Sequence, residues 1–319
     1  MRIRTLTLVL AGALAAATAV WGQASYPTKP IEVVNSFAPG GANDLNVRAM
    51  ETVAQRILKQ PLVQSFKQGG GGITGATEVA NATPDGYKLL VVSSGELTAA
   101  PNLTKTAYSL DSFAFIARVS VKPYAFAVKA GAPWKDFNEF RQRAKEQPGK
   151  LSVGTTPRGG IYLTLHYLLK QSGISLNPVP YGGSGPYIVA LLGGQVDSAM
   201  APLAALESQL AAGTLRLLGV TGPARAPGHP SVPTFKELDA DVPLVQWIGL
   251  VAPRRIPPER LASLREGFER LIKDPAFVQG AQKLGVDAAY LPGEAFEQAV
   301  REEDAVFKTL VKELGLSPK

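Results

Sequence analysis

The chain has no cysteine and only two histidines, His166 and His229, in 319 residues. Without Cys there are no disulfides, thiolate zinc sites, iron–sulfur clusters or cysteine nucleophiles. Two His leave almost nothing for a histidine metal site. No G-x-x-x-x-G-K-[ST], H-E-x-x-H or G-x-S-x-G stretch occurs, which removes the commonest signatures of phosphate-loop, zinc-hydrolase and serine-hydrolase chemistry. The longest basic cluster is the pair Arg254-Arg255, with no interleaved aromatics, so no nucleic-acid partner is expected. After residue 24 no apolar run is long enough to span a bilayer.

What remains is an ordinary globular composition, 45% hydrophobic and 18% charged, which excludes disorder and fibrous folds. The length suggests two domains. Residues 1–24 read as a secretory signal peptide. Arg2 and Arg4 begin it, Leu6 to Val20 is uncharged, and Gly22-Gln23-Ala24 supplies small residues before a cut at Ser25. The mature protein is thus expected in the periplasm. Losing Arg2 and Arg4 lowers the formal charge from +7 to +5, an excess that suits anionic ligands.

Short apolar runs alternate with helical periodicity through the mature chain. Ile31 to Phe37 reads as a buried strand, and Leu45, Val47, Met50, Val53, Ala54, Ile57 and Leu58 mark a helix to about Gln60 that Asn43 or Asp44 can cap. The same alternation recurs through Tyr87 to Val92, Leu151 to Gly154, Ile161 to Gln171, Asn177 to Tyr181 and Val196 to Met200. Leu203 to Ala212 and Glu294 to Leu314 read as helices. The expected fold is α/β, with mixed, mostly parallel sheets flanked by helices. The division is residues 25–125 plus 246–319 as one lobe and 126–245 as the other. A chain that crosses twice makes a hinged cleft.

Three strand-to-helix loops concentrate the chemistry: 38–44, 155–160 and 181–185. Each precedes a helix whose first amides lack intrahelical partners, so each is a potential anion cradle, with Thr155, Thr156 and Ser184 as hydroxyl donors. The alternative for any single loop is simple chain reversal. Arg158, between Pro157 and Gly159, is either a bidentate carboxylate clamp or a solvated arginine. Gly70-Gly71-Gly72-Ile73-Thr74-Gly75 matches a dinucleotide fingerprint with Glu96 about 20 residues on, but four consecutive glycines match easily and an exported protein rarely meets such a cofactor. His166 lies on an apolar helix and His229 in a Pro-rich loop, so a nucleophile–base pair is hard to assemble. No enzyme, catalytic residue, cofactor or metal is expected.

Six stretches carry a family resemblance: Tyr26-Pro27-Thr28-Lys29-Pro30-Ile31, Phe37 to Asp44 (Phe-Ala-Pro-Gly-Gly-Ala-Asn-Asp), Pro84-Asp85-Gly86-Tyr87, Val179-Pro180-Tyr181, Leu191 to Asp197 (Leu-Leu-Gly-Gly-Gln-Val-Asp) and Trp247 to Pro253 (Trp-Ile-Gly-Leu-Val-Ala-Pro). In these, spread over nearly the whole mature chain, the sequence resembles the periplasmic solute-binding proteins of tripartite tricarboxylate transporters, the Bug family. The resemblance implies a two-lobed, type II-like Venus flytrap that closes on a small carboxylate, such as a di- or tricarboxylate or an aromatic acid, and delivers it as a monomer to membrane permease subunits. An exported sensor subunit for a signalling receptor would use the same clamp.

Carried over by position, the ligand set is Phe37, Ala38, Pro39, Gly40, Gly41, Ala42, Asn43 and Asp44, chiefly through main-chain amides and ordered waters, with Ser94, then Thr155, Thr156, Arg158 and Gly159, then Tyr181, Gly182 and Gly183, and Ala201. Three departures stand out. Thr155-Thr156-Pro157-Arg158-Gly159 replaces the commoner Ser-Ser-Gly-Asn-Gly, Gly182 replaces a frequent Lys, and Ala201-Pro202 stands where many relatives have an acid. The added arginine and lost acid favour a purely anionic ligand over an amino acid, and Tyr162 and Trp247 either flank an aromatic ring or belong to the core. Intact-mass analysis of the exported protein should give a chain beginning at Ser25; a species retaining residues 1–24 would identify an uncleaved anchor.

Overall fold

The computed structural model describes residues 26–316 apart from Ala38 and Arg158. The signal segment therefore lies outside the described residues. The elements run β1 Ile31–Asn35, α1 Ala42–Leu58, β2 Leu62–Phe66, α2 Ile73–Ala80, β3 Lys88–Ser93, a π turn Gly95–Ala99 continuing into α3 Ala100–Leu103, and β4 Phe113–Lys122. Then come β5 Tyr124–Lys129, α4 Phe137–Glu146, β6 Ser152–Thr155, α5 Gly160–Ser172, β7 Asn177–Pro180, α6 Ser184–Gly193, β8 Ser198–Pro202, α7 Glu207–Ala211 and β9 Leu215–Val220. The chain ends with β10 Gln246–Pro253, α8 Pro258–Ile272, α9 Pro275–Lys283, β11 Ala288–Pro292 and α10 Gly293–Glu313.

Two sheets result, one of six strands ordered β11-β4-β10-β3-β1-β2 and one of five ordered β7-β6-β8-β5-β9. Apolar residues are contiguous in the central strands because both sheet faces are covered. In β1 and β3, Val33 and Val91 pack with α1, α8 and α9 on one face. Their neighbours Val34 and Val92 pack with α2 and the first half of α10 on the other. In the second sheet Phe126, Val153 and Met200 meet α4 and α5, while Ala125, Ala199 and Ala201 meet α6.

The α/β class with helix-flanked mixed sheets is as expected, but parallel pairing does not predominate. Four of the nine described strand pairs are parallel (β1 with β2 and β3, β6 with β7 and β8) and five antiparallel. The physical reason is the crossing. Strands β4 and β10 sit at the two passages between the sheets, where β10 runs against both β3 and β4, and β5 runs against both β8 and β9 in the second sheet. The helix expected over 203–212 divides into a 3₁₀ turn, Leu203–Ala205, and α7. The segment Gly95–Leu103, α9 and β11 were not anticipated.

Only Pro123 separates β4 from β5. The return passage is tied to the outgoing one: the Thr221 amide donates to Tyr124 O at 2.9 Å and the Tyr124 amide to Thr221 Oγ1 at 3.0 Å. Helix α10 is a third link. Phe296 and Val300 belong to the core of the six-stranded sheet, whereas Phe307, Leu310 and Val311 belong to that of the five-stranded sheet. At the changeover the buried Glu303 carboxylate accepts from Thr98 Oγ1 and, at 3.0 Å, from Trp247 Nε1. Gly249 on β10 leaves room for the fully buried Phe296 ring, which packs edge-on against both Phe115 and Trp247. A Cβ there would collide with that ring and lie 2.9 Å from Ala117 O. Gly249→Ala is accordingly expected to lower unfolding free energy by about 1–3 kcal/mol, read as a reduced urea midpoint; an unchanged midpoint would mean that the ring has space to yield.

Candidate functional site

In the first sheet the parallel strands β1, β2 and β3 end together at Asn35, Phe66 and Ser93. In the second, β6, β7 and β8 end together at Thr155, Pro180 and Pro202. Ligands of open α/β sheets sit beyond such carboxyl edges.

The first loop is held from below. Gly40 takes φ +84°, a left-handed conformation that favours glycine. Its amide donates to Asp44 Oδ2 at 2.7 Å, and Asp44 also accepts from Gln64 Nε2 at 2.9 Å and Arg48 Nε at 2.8 Å. Burial raises the Asp44 carboxyl, but the Gly40 amide, Gln64 and the Arg48 guanidinium outweigh it and hold the group below the usual carboxylate range. Asp44 thus consumes the Gly40 amide instead of capping the helix conventionally, and Gly41 is the N-cap. The first described helical bond is Leu45 N to Gly41 O, so the amides from Gly41 to Asp44 precede the helical ladder. The Phe37 amide is used by Asn35 Oδ1 at 3.1 Å, and Pro39 is exposed. Ala38 lies outside the described residues.

Glu96 ties this loop to the next. Its Oε2 accepts from Asn43 Nδ2 at 3.3 Å, the Ser93 amide at 2.8 Å and Ser93 Oγ at 3.0 Å. Gly72, at φ +102°, lies so close that a Cβ would strike the Glu96 side chain. The glycine run therefore makes room for a buried carboxyl within one lobe. The strand before it, β2, is the edge of the sheet, so the fingerprint reading has no structural support. Burial pushes the Glu96 carboxyl up to about 7, against the partial opposition of its hydrogen bonds.

The second and third loops are joined by the Tyr181 amide donating to Thr155 O at 2.8 Å. Thr155 is buried and its Oγ1 has no hydrogen-bond partner. Gly159, at φ +102°, and Gly183 are the N-caps of α5 and α6, and Tyr181 and Gly182 lie at or near the surface. Arg158 lies outside the described residues. Ser94 and the start of α5 meet through one side chain: the buried Tyr124 hydroxyl hydrogen-bonds Ser94, and Gly160 lies so near that a Cβ would be 3.3 Å from that oxygen.

Ala201 is placed differently. It is fully buried in the apolar cluster beneath α6 and has no surface to offer a ligand. Trp247 is core, bonded to Glu303. Tyr162 packs on His166, their rings 4.4 Å apart, and burial lowers the His166 pKa.

Among the described residues, two cavities have walls from both halves of the molecule; the one at the start of α1, about 360 Å³, is lined by Ala42 and Asn46 of α1, Lys122 of β4, Gln246 of β10, and Ala204 and Glu207 beyond β8. Its size suits a small organic ligand. Of the expected residues only Ala42 lines it. Asn46, Glu207 and the crossing-strand residues were missed. A signal for Asn46 existed, since it falls on the buried face of α1 with Val47, Met50 and Val53 and is polar. Among the described residues no group of three or more His, Asp or Glu could hold a metal, and no helix is long and apolar enough to cross a membrane.

The tripartite tricarboxylate transporter family receptor, TctC, matches residues 47–316. The chain belongs to this family. It is 30% identical over 315 residues to a Cupriavidus necator protein encoded in the gbd 5′ region, covering 95% of this chain and 96% of that one. A ligand-free TctC solute-binding protein from Polaromonas superposes with a TM-score of 0.84 at 29% identity, covering 91% of this chain and all of that one. MatC from Rhodopseudomonas palustris, solved with bound malate, gives 0.68 at 28% identity, covering 90% of this chain and all of MatC. This TctC chain therefore has the two-lobed binding-protein fold, and the family is one of solute receptors, not enzymes.

The Glu96 carboxyl gives a signed test. Folded, it titrates near 7; its ordinary value is 4.5. Between these pH values the folded state keeps a proton that the unfolded state has lost, so this group's contribution is greatest below 4.5 and declines as pH rises through 7, by up to about 3 kcal/mol. Glu96→Gln should remove that slope. The unfolding free energy of the variant relative to wild type should shift in its favour between pH 4.5 and 7 in urea titrations; a gap independent of pH would contradict the assignment.

Proposed function

We propose that this TctC protein is an exported, periplasmic receptor that captures a small organic carboxylate between its lobes and presents it to the membrane permease of a tripartite transporter. The observation that carries the reading is the cavity walled by both lobes at the start of α1. There the amides that precede the helical ladder add to the positive end of a 17-residue helix, and Lys122 supplies a cation. The malate bound by MatC is of the same ligand class.

Closure follows from simple linkage. A ligand that touches both lobes binds the closed form better, and only that difference can shift the hinge equilibrium. The second and third loops close from the opposite side. Thr155, Thr156, Gly159, Tyr181, Gly182 and Gly183 are proposed to face the far end of the ligand, with Arg158 as its charged clamp and Ser94 beside them. Binding is stoichiometric and no bond is made or broken.

A thermal-shift panel of mono-, di- and tricarboxylates and aromatic acids tests this. A true ligand at 100 times its dissociation constant should stabilise the fold by ~2.7 kcal/mol; silence across the panel would refute the carboxylate reading. Arg158→Ala should weaken the best ligand by about 1.5–3 kcal/mol, the range for a charge-assisted hydrogen bond, and an unchanged affinity would return Arg158 to the solvated class.

A further inference from the structure

Asn46 sits in the second turn of α1, 2% exposed, and lines the cavity between the lobes. Its Nδ2 donates to Ala42 O at 2.8 Å, which fixes the amide orientation because a carbonyl can only accept. Its Oδ1 is then the free end, and it has no hydrogen-bond partner. A buried acceptor left unmatched is costly, and in native proteins it is normally met by water or by a ligand. The cavity wall mixes apolar residues, Leu45, Ile248 and Val286, with donors on Ser120, Lys122 and Gln246, none of which bonds that oxygen. Ala42, whose amide opens the helix, lines the same cavity one turn earlier.

An acceptor beside an anion cradle selects for a particular pairing of groups. We infer that the ligand carries a hydrogen-bond donor, a hydroxyl or an ammonium group, next to its carboxylate, and that Asn46 Oδ1 accepts from it while the carboxylate rests on the amides at the start of α1. Asn46 is thus a specificity-determining residue for 2-hydroxy or 2-amino acids. This rests on the carboxylate reading and narrows it. It also revises the expectation of a purely anionic ligand. That expectation leaned on Arg158 and on the missing acid at Ala201; Ala201 is buried, and an acid, Glu207, stands on the opposite wall of the cavity, its carboxylate 3.1 Å from His229 Nε2.

The test uses matched acids that differ only in the donor: succinate, malate and aspartate; propionate, lactate and alanine; phenylacetate, mandelate and phenylglycine. Dissociation constants are measured by titration calorimetry on the mature protein and on Asn46→Leu, which keeps the branched shape and removes the acceptor. In whichever series binds, a donor-bearing acid should bind roughly ten- to a hundredfold more tightly than its parent, and Asn46→Leu should bring the two within about threefold. The hydroxy and amino arms identify which donor is taken. Equal binding of parent and donor-bearing acids, or a preference that survives Asn46→Leu, overturns the inference but leaves the carboxylate reading intact. Binding by none of the acids overturns both. Should Asn46→Leu fail to fold, Asn46→Asp retains the acceptor and adds charge. It should raise the amino-to-hydroxy affinity ratio at least tenfold, and an unchanged ratio overturns the inference.

Discussion

Main-chain donors at the start of α1 can serve a ligand only if the loop that carries them is rigid, and two buried carboxyl groups provide that rigidity. Asp44 pins the loop from within the helix it opens. Glu96 pins the same helix to the end of the third strand. The two carboxyls are tuned in opposite directions. Asp44, met by an arginine, an amide side chain and a main-chain amide, lies below its ordinary range, whereas Glu96, buried without a cation, lies near 7. One carboxyl therefore holds the loop as an ion. The other titrates close to neutrality and couples the same foundation to pH.

The second constraint is how the halves are joined. Two adjacent passages of chain, at Pro123 and near Thr221, permit hinge motion, but α10 lies across both cores and pairs with the second lobe at its far end, Lys170 Nζ to Glu313 Oε1 at 2.7 Å. In the proposed closure this helix would be the pivot. The Glu303 carboxylate, held by Thr98 and Trp247, ties β10 and the segment before α3 to this helix where it passes from one core to the other. The cavity between the lobes is bounded by the same crossing strands, so a ligand held there would act close to the chain crossings.

Much of the architecture was legible in the chain because periodicity and turn residues report burial directly. The run Ile31–Asn35, the stripe of α1 and the loop glycines all lie where their patterns indicated. Less legible was whatever depends on partners distant in sequence. The strand Ala288–Pro292 is half-exposed and ends in proline, and only pairing with β4 makes it a strand. The antiparallel pairs follow from the crossings, which local pattern does not encode. In the site, the loops were legible as loops, but the consumption of the Gly40 amide by Asp44 was not. Neither was the burial of Ala201, nor the role of Asn46, whose misfit on an apolar face acquires meaning only once a cavity is seen beside it.

The central claim is that one small acid engages both lobes at once. Amide hydrogen exchange of the mature protein, with and without a saturating carboxylate, measures this most directly. Protection is predicted in two separate stretches, the start of α1 around residues 40–46 and the second-lobe edge around 155–160 and 203–207. Protection confined to one of these stretches, with stoichiometric binding confirmed, would contradict capture between the lobes.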